Sequence, residues 1–179
     1  FNKGIEKSTG DIIGFLHSDD IFYSNNVIKY ISENIGNSPG IYGNLIYVDR
    51  HDINKKIRSW KSKEFKKNNF YFGWMPAHPT LFLKKEIYKK YGKYKIDFGT
   101  GSDYEFIIRV LFKNNLKCKY IDKIFTKMRV GGISSNNIKD RIIAHIYDWK
   151  AWTVNDISSF PFWVTLKPLS KIKQYFRLS

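Results

Sequence analysis

The feature that most constrains this chain is a short apolar run that ends abruptly in acid. Ile12-Ile13-Gly14-Phe15-Leu16 passes without a spacer into His17-Ser18-Asp19-Asp20. An uninterrupted apolar run of this length predicts a strand over residues 12–16, buried on both faces. Strands of that kind belong to open α/β sheets, where ligands bind beyond the carboxyl ends of the strands. Two adjacent carboxylates at such an end are oxygen donors suited to Mg²⁺ or Mn²⁺. Those ions take one or two carboxylates and complete their shells with substrate phosphate and water. Asp-Asp is equally an ordinary turn or capping sequence, so the pair alone leaves both roles open.

The rest of the chain alternates strands and helices. Residues 2–8 read as the end of a helix stopped at Gly10. Ser24 is placed to cap a helix whose apolar positions Val27, Ile28, Ile31 and Ile35 recur at helical spacing before Gly36. Residues 41–49 and 57–60 read as strands flanking a polar turn. Phe70 to Pro79 is an aromatic loop, followed by a strand at 80–83, a helix at 85–91 closed by Gly92, a helix at 103–112 and a strand at 117–125. Alternation of this kind implies an α/β layer architecture with a mixed sheet. The composition changes near Gly131-Gly132, which divides the chain into residues 1–135 and a helical, basic and aromatic tail, 136–179.

Composition bounds the function. Hydrophobic residues make up 42% and aromatics 17%, enough for one substantial core in 179 residues and outside the disordered range. Lys and Arg number 31 against 16 Asp and Glu, a net charge of +15. That balance suits anionic partners such as nucleotide phosphates or acidic lipid headgroups. A genome-wide bias toward Lys, Asn, Ile and Tyr accounts for it as well. Cys118 is the one cysteine, so no disulfide can form within the chain, and a reducing cytoplasm is the expected compartment. Its apolar surroundings make it a buried structural thiol rather than a nucleophile. No apolar run approaches the length of a membrane span.

Taken in order, the motifs resemble those of family 2 glycosyltransferases of the GT-A fold. Asn2 to Ile5, then Thr9-Gly10-Asp11-Ile12 through Asp20, is similar to the helix, small-residue turn and hydrophobic strand that lead into that family's Asp-x-Asp-type metal site. His17 departs from the pattern, standing where many members carry an acidic residue or Asn. The resemblance implies a divalent cation, Mn²⁺ or Mg²⁺, with Asp19 or Asp20 as its ligand and the other residue at the ribose or at metal-bound water. Asp19 is the favoured ligand. Ala77-His78-Pro79-Thr80-Leu81-Phe82-Leu83 looks like the segment leading to the acceptor side. His78 there either hydrogen-bonds a diphosphate or acceptor, or packs beside Pro79. Gly101-Ser102-Asp103-Tyr104-Glu105-Phe106 is similar to the family's motif at a helix start, whose acidic residue is the general base. A carboxylate is stabilised at a helix N-terminus, and a base must reach the attacking hydroxyl. Asp103 is the expected base and Glu105 the reserve, the alternative being that both serve only the helix start. Arg109 either pairs locally or steers phosphate. Met128 to Ser134 resembles a Gly-Gly-x-Ser stretch in which the amides of Gly131 and Gly132 approach phosphate, and it reads equally as an exit loop. Trp74, with Tyr71 and Phe72, offers flat apolar surface for sugar rings.

The resemblance covers residues 1–135 and implies a partial GT-A, Rossmann-like domain. The family's N-terminal βαβ half, which binds the nucleotide base, has no counterpart here, and Phe1 reads as the middle of an element. The expected reaction is inverting transfer of a sugar from a UDP- or GDP-type nucleotide-sugar to a glycan or polyprenyl-linked acceptor in surface-polysaccharide synthesis. In the tail, Ile142, Ile143, Ile146, Trp149 and Trp152 predict an amphipathic helix packed on the core. The aromatic and basic residues of 160–177 suit contact with an anionic membrane at the cytoplasmic face. The rival classes are a basic nucleic-acid-binding module and an inactive remnant. Against the first, the basic residues are spread along the chain and no nucleic-acid-binding motif is found, so nucleic acid is not among the expected partners.

Overall fold

The computed structural model describes residues 1–131 and 138–157, with side chains from residue 143 onward in the second stretch. Gly132 and the segment 160–177 lie outside the described residues, as does the domain boundary expected at 135. In chain order the elements are α1 (Asn2–Lys7), β1 (Ile12–Ile13), β2 (Ile21–Phe22), α2 (Val27–Asn34), β3 (Gly40–Val48) and β4 (Lys56–Trp60). They continue with β5 (Phe82–Lys84), α3 (Lys85–Tyr91), α4 (Ser102–Ile107), β6 (Lys119–Arg129) and α5 (Ile138–Thr153). A π-helical segment, Ile108–Lys113, prolongs α4, and short 3₁₀ turns occupy Lys67–Phe72, His78–Thr80 and Ile96–Gly101.

The strands form one six-stranded mixed sheet in the order β1-β5-β3-β6-β2, with β4 also on β3. β3 and β6 run parallel through the centre, Leu45 beside Thr126 and Tyr47 beside Met128, and the other described pairings are antiparallel. The α/β fold with a mixed sheet is the one expected. Successive residues on a strand face opposite ways, and the core divides accordingly. Tyr42 and Leu83 enter the larger cluster, with Phe98, Tyr104, Phe106, Leu111 and Trp152. Ile41 and Phe82 face the smaller one, where Phe125 lies under Val27, Ile31 and Ile35. The β3–β6 register shifts on either side of Asn44, the first shift falling at Gly43. A Cβ there would stand 2.7 Å from the Lys123 carbonyl oxygen, so the two central strands approach too closely for any side chain.

Several local expectations are corrected. The strand expected over 12–16 is only Ile12–Ile13, at the edge of the sheet, with Ile13 buried and Leu16 exposed. Gly14 lies against the ring of Phe82, and beyond it the chain leaves the sheet. In α2 the N-cap is Asn26 rather than Ser24, without a side-chain capping bond, and Ile28 faces solvent. Thr80 belongs to a 3₁₀ turn, because its hydroxyl bonds the carbonyls of Ala77 and Gly43 and shifts the strand on to Phe82–Lys84. Residues 103–112 are helical as expected, but the second half widens to a π-helix. β6 starts later than expected and runs on to Arg129.

The largest correction concerns α5. The helix packs on the core as expected, through Trp152, but Ile143, Ile146 and Trp149 of the same expected stripe are 46%, 55% and 49% exposed. The buried face is Asp148, Ala151 and Trp152, continued past the helix by Asn155. Buried polar groups on α4 need partners, and that need selects which side of the helix packs.

A candidate active site at the carboxyl ends of β3 and β6

Residues 17–20 form a turn closed by the Asp20 amide on the His17 carbonyl at 3.1 Å. It is tied to the ends of the two parallel strands, because β2 follows at once and pairs antiparallel with β6 through Ile21 and Lys127. Arg129, the last residue of β6, donates from Nε to the Asp19 carbonyl (3.1 Å) and from Nη1 to the Arg50 carbonyl (2.8 Å). Arg50 in turn donates to the carbonyl of Gly131 (3.1 Å), and the Val130 amide bonds the Val48 carbonyl. The acidic turn, the end of β3 and the end of β6 are thereby one assembly, with two guanidinium groups inside it.

Within the turn the two carboxylates differ. Asp19 is exposed. Asp20 is 5% exposed, and neither of its carboxylate oxygens has a hydrogen-bond partner. Burial raises its pKa from 3.8 to about 6, with His17 drawing it down, Asp19 pushing it up and the Arg129 amide drawing it down. A buried carboxylate without a partner is costly in a folded protein. Among the described residues no group of three or more His, Cys, Asp or Glu side chains stands ready to hold a metal. An unpartnered buried carboxylate beside an exposed one nevertheless fits a hard cation that takes most of its ligands from phosphate and water.

The second half of the site is built from rings. His78, in its 3₁₀ turn, is buried, with Nε2 3.1 Å from the Tyr94 hydroxyl. His17 comes within 5.9 Å of His78, ring centre to ring centre, and Phe1, Phe15 and Tyr94 complete the cluster. Burial lowers the His78 pKa, Asp103 works against that and His17 reinforces it, so the charges of both residues act on this ring. Asp103 lies at the start of α4, half-buried, its Oδ1 accepting from the Tyr104 amide at 2.8 Å. His17 and His78 therefore meet from two separate segments, the charge of Asp103 acts on the same His78 ring, and Asp19 and Asp20 adjoin through His17.

Other expected site residues lie elsewhere or are already engaged. Glu105 is fully buried and ion-paired with Arg109, Nε to Oε1 at 2.9 Å and Nη2 to Oε2 at 2.8 Å, with Lys95 Nζ at 3.5 Å and Asn155 Nδ2 at 3.1 Å. Burial would raise its pKa, but Arg109, Asn155 and Lys95 outweigh that and lower it. Arg109 also bonds the carbonyls of Tyr91, Gly92 and Lys93, so it pairs locally and closes α3. Trp74 donates from Nε1 to the Ser62 carbonyl and packs edge-on against Phe70, Phe65 and Tyr42. Tyr71 lies against Phe112 and Trp152. These rings line the core rather than an open cleft. Phe72 alone of the expected aromatic surface is well exposed. Cys118 is buried, its thiol pushed up to about 12 by burial, as befits a packed side chain. Sequence reasoning assigned nothing to Arg129 or Tyr94. Their partners are a distant backbone carbonyl and a distant ring, which no local pattern encodes.

No protein-family model matches the chain. In sequence, the PGL/p-HBAD biosynthesis glycosyltransferases of Mycobacterium tuberculosis (strain H37Rv) and Mycobacterium bovis (strain BCG) are 23% identical to it over 150 residues, 78% of this chain and 53% of theirs. In structure, S. aureus TarS in complex with UDP-GlcNAc matches with a TM-score of 0.57 at 14% identity, covering 99% of this chain and 52% of that one. The chain is thus similar in sequence to bacterial glycosyltransferases and shares its α/β fold with TarS, over about half the length of each.

Proposed function

We propose that this chain carries the cation-binding and acceptor-activating part of a glycosyltransferase site, which transfers a sugar from a nucleotide-diphospho-sugar to a hydroxyl with inversion. The observation that carries the reading is the buried, unpartnered Asp20 carboxylate in a turn bound to the ends of β3 and β6, with the His17 of that turn against His78, on which the charge of Asp103 acts. The sequence similarity to glycosyltransferases and the fold shared with TarS, a protein seen in complex with UDP-GlcNAc, support a nucleotide-sugar donor of the UDP or GDP type.

In this reading Asp103 takes the proton of the acceptor hydroxyl. The hydroxyl oxygen bonds to the anomeric carbon, and the bond from that carbon to the diphosphate oxygen breaks with its electron pair on the diphosphate. Burial keeps His78 neutral, so it does not lock Asp103 in an ion pair and the carboxylate stays available for the proton. Asp19 and Asp20 would hold Mn²⁺ or Mg²⁺, whose charge offsets that of the leaving diphosphate. Arg129 fixes the turn that presents them. Gly131, held by Arg50, places the backbone after β6 beside the same turn. The acceptor would be a glycan or polyprenyl-linked sugar in surface-polysaccharide synthesis. The enzyme would work at the cytoplasmic face, in peripheral contact with anionic lipid. Among the described residues no helix is long and apolar enough to cross a membrane.

The test is substitution in the natural protein, with turnover and donor binding measured separately. Asp103→Asn should lower kcat by about 10²-fold or more and leave donor affinity intact, as loss of a general base does. Retained turnover would sink the base assignment. Asp19→Ala should abolish cation-dependent donor binding, and binding that survives would remove the turn from the site.

A further inference from the structure

We propose that α5 is the positioning element of the Asp103 carboxylate, acting through Trp152 and Asn155; this rests on the reading of Asp103 as general base. Asp103 lies in the first turn of α4, and its charge acts on His78 and Tyr94. α5 and the turn after it hold the residues next to it in the chain. Trp152 donates from Nε1 to the Tyr104 hydroxyl at 2.9 Å, with both side chains buried. Asn155 donates to Glu105 Oε1 at 3.1 Å and to the Ala151 carbonyl at 2.8 Å, which locks its rotamer against the end of the helix. On the N-terminal side of Asp103, Gly101 lies so close to α5 that a Cβ there would stand 2.6 Å from the Tyr147 Cβ. Residues 101, 104 and 105 are thus fixed by α5 and the turn after it, and they bracket Asp103 in the chain.

The chemistry explains why so many contacts are spent here. A base must be held to within about half an ångström of its productive position, and supporting side chains with locked rotamers supply that precision. The contacts on α5 are also polar where they meet α4. An aliphatic helix face would have packed as well, but it would have left the Tyr104 hydroxyl and one Glu105 oxygen without these donors. A loose α5 should therefore misplace the base while the donor side, built on the turn at 17–20, is unaffected.

Trp152→Phe keeps an aromatic ring, though a smaller one, and removes the bond to Tyr104, and Tyr104→Phe removes the same bond from the other partner. Steady-state and single-turnover kinetics in the natural protein should show kcat about tenfold lower for either variant, with donor KM unchanged. In an Asp103→Asn background the same changes should cost less than twofold, because positioning acts only through the base. An equal loss in both backgrounds, or no loss in the first, overturns the role of α5. If Asp103→Asn itself keeps full turnover, it is the base reading that has failed. Should Trp152→Phe fold poorly in thermal melts, Tyr104→Phe decides the question.

Discussion

At the scale of single residues, Asp20 carries an unusual burden: a carboxylate that is almost fully enclosed and unbonded. Its pKa lies at about 6 in the fold against an ordinary 3.8, so the folded chain binds a proton more readily than the unfolded one. Stability contributed by this group therefore rises as pH falls from about 6 toward 4, and above 6 the cost is fully present, about 3 kcal/mol at most. Asp20→Asn should accordingly stabilise the cation-free protein by about 1–3 kcal/mol at pH 7.5, even though the new amide also lacks partners. The gain should shrink toward zero at pH 4, read by urea denaturation at both values, while cation-dependent donor binding is lost. His78 has the opposite sign: its pKa is lowered, so its contribution is lost as pH falls below 6.5. Comparing variant with parent at each pH cancels that term. The acidic pair, His78 and Asp103 were all visible in the sequence because each sits in a local motif. The packing of His17 against His78 was not, since it depends on how a turn and a 3₁₀ segment fold toward one another.

At the scale of elements, the Glu105–Arg109 pair joins the end of α3, the middle of α4 and the turn after α5. Arg109 spends its guanidinium on one carboxylate and three backbone carbonyls. Removing it leaves a buried carboxylate short of its main partner, whereas removing both charges leaves an apolar gap. Arg109→Met should destabilise the fold by about 3–5 kcal/mol, and Glu105→Leu combined with it by less than the single change, measured as a double-mutant cycle in denaturant. Additive losses would mean that the pair is not the joint it looks to be. Sequence spacing predicted α3 and its Gly92 stop well, because a short helix with a glycine end is a local matter. In α5 it placed Trp152 rightly but packed Ile143, Ile146 and Trp149 as well, because hydrophobic periodicity assumes that the whole apolar face packs. Here the Tyr104 hydroxyl and the Glu105 carboxylate of α4 meet Trp152 and Asn155, and the rest of the stripe faces outward. The edge strand is shorter than the apolar run implies, ending at Ile13, because Phe15 enters the aromatic cluster with Phe1, His78 and Tyr94 and Leu16 turns to solvent.

At the scale of the whole molecule, the net charge of +15 and the outer face of α5 bear on one question, namely which surface this protein meets. Ile143, Ile146 and Trp149 form an exposed stripe on the side of α5 turned away from the site. A helix that presents an apolar stripe on a basic protein suits the interface of an anionic membrane, where rings sit at headgroup depth and cations meet acidic lipid. The two contributions separate experimentally. The electrostatic part should weaken steeply between 0.1 M and 1 M salt as the screening length falls from about 10 Å to about 3 Å. The apolar part should respond to Trp149→Glu or Ile146→Glu at fixed salt. In vesicle sedimentation, binding should require acidic lipid, fall with salt, and drop about tenfold in either variant, the loss expected when an apolar contact of this size is removed. Both variants should keep the melting temperature of the parent, because the altered side chains lie outside the core. Salt-sensitive binding to nucleic acid that ignores both variants would point to charge alone, and the stripe would then have no part in what the molecule docks against.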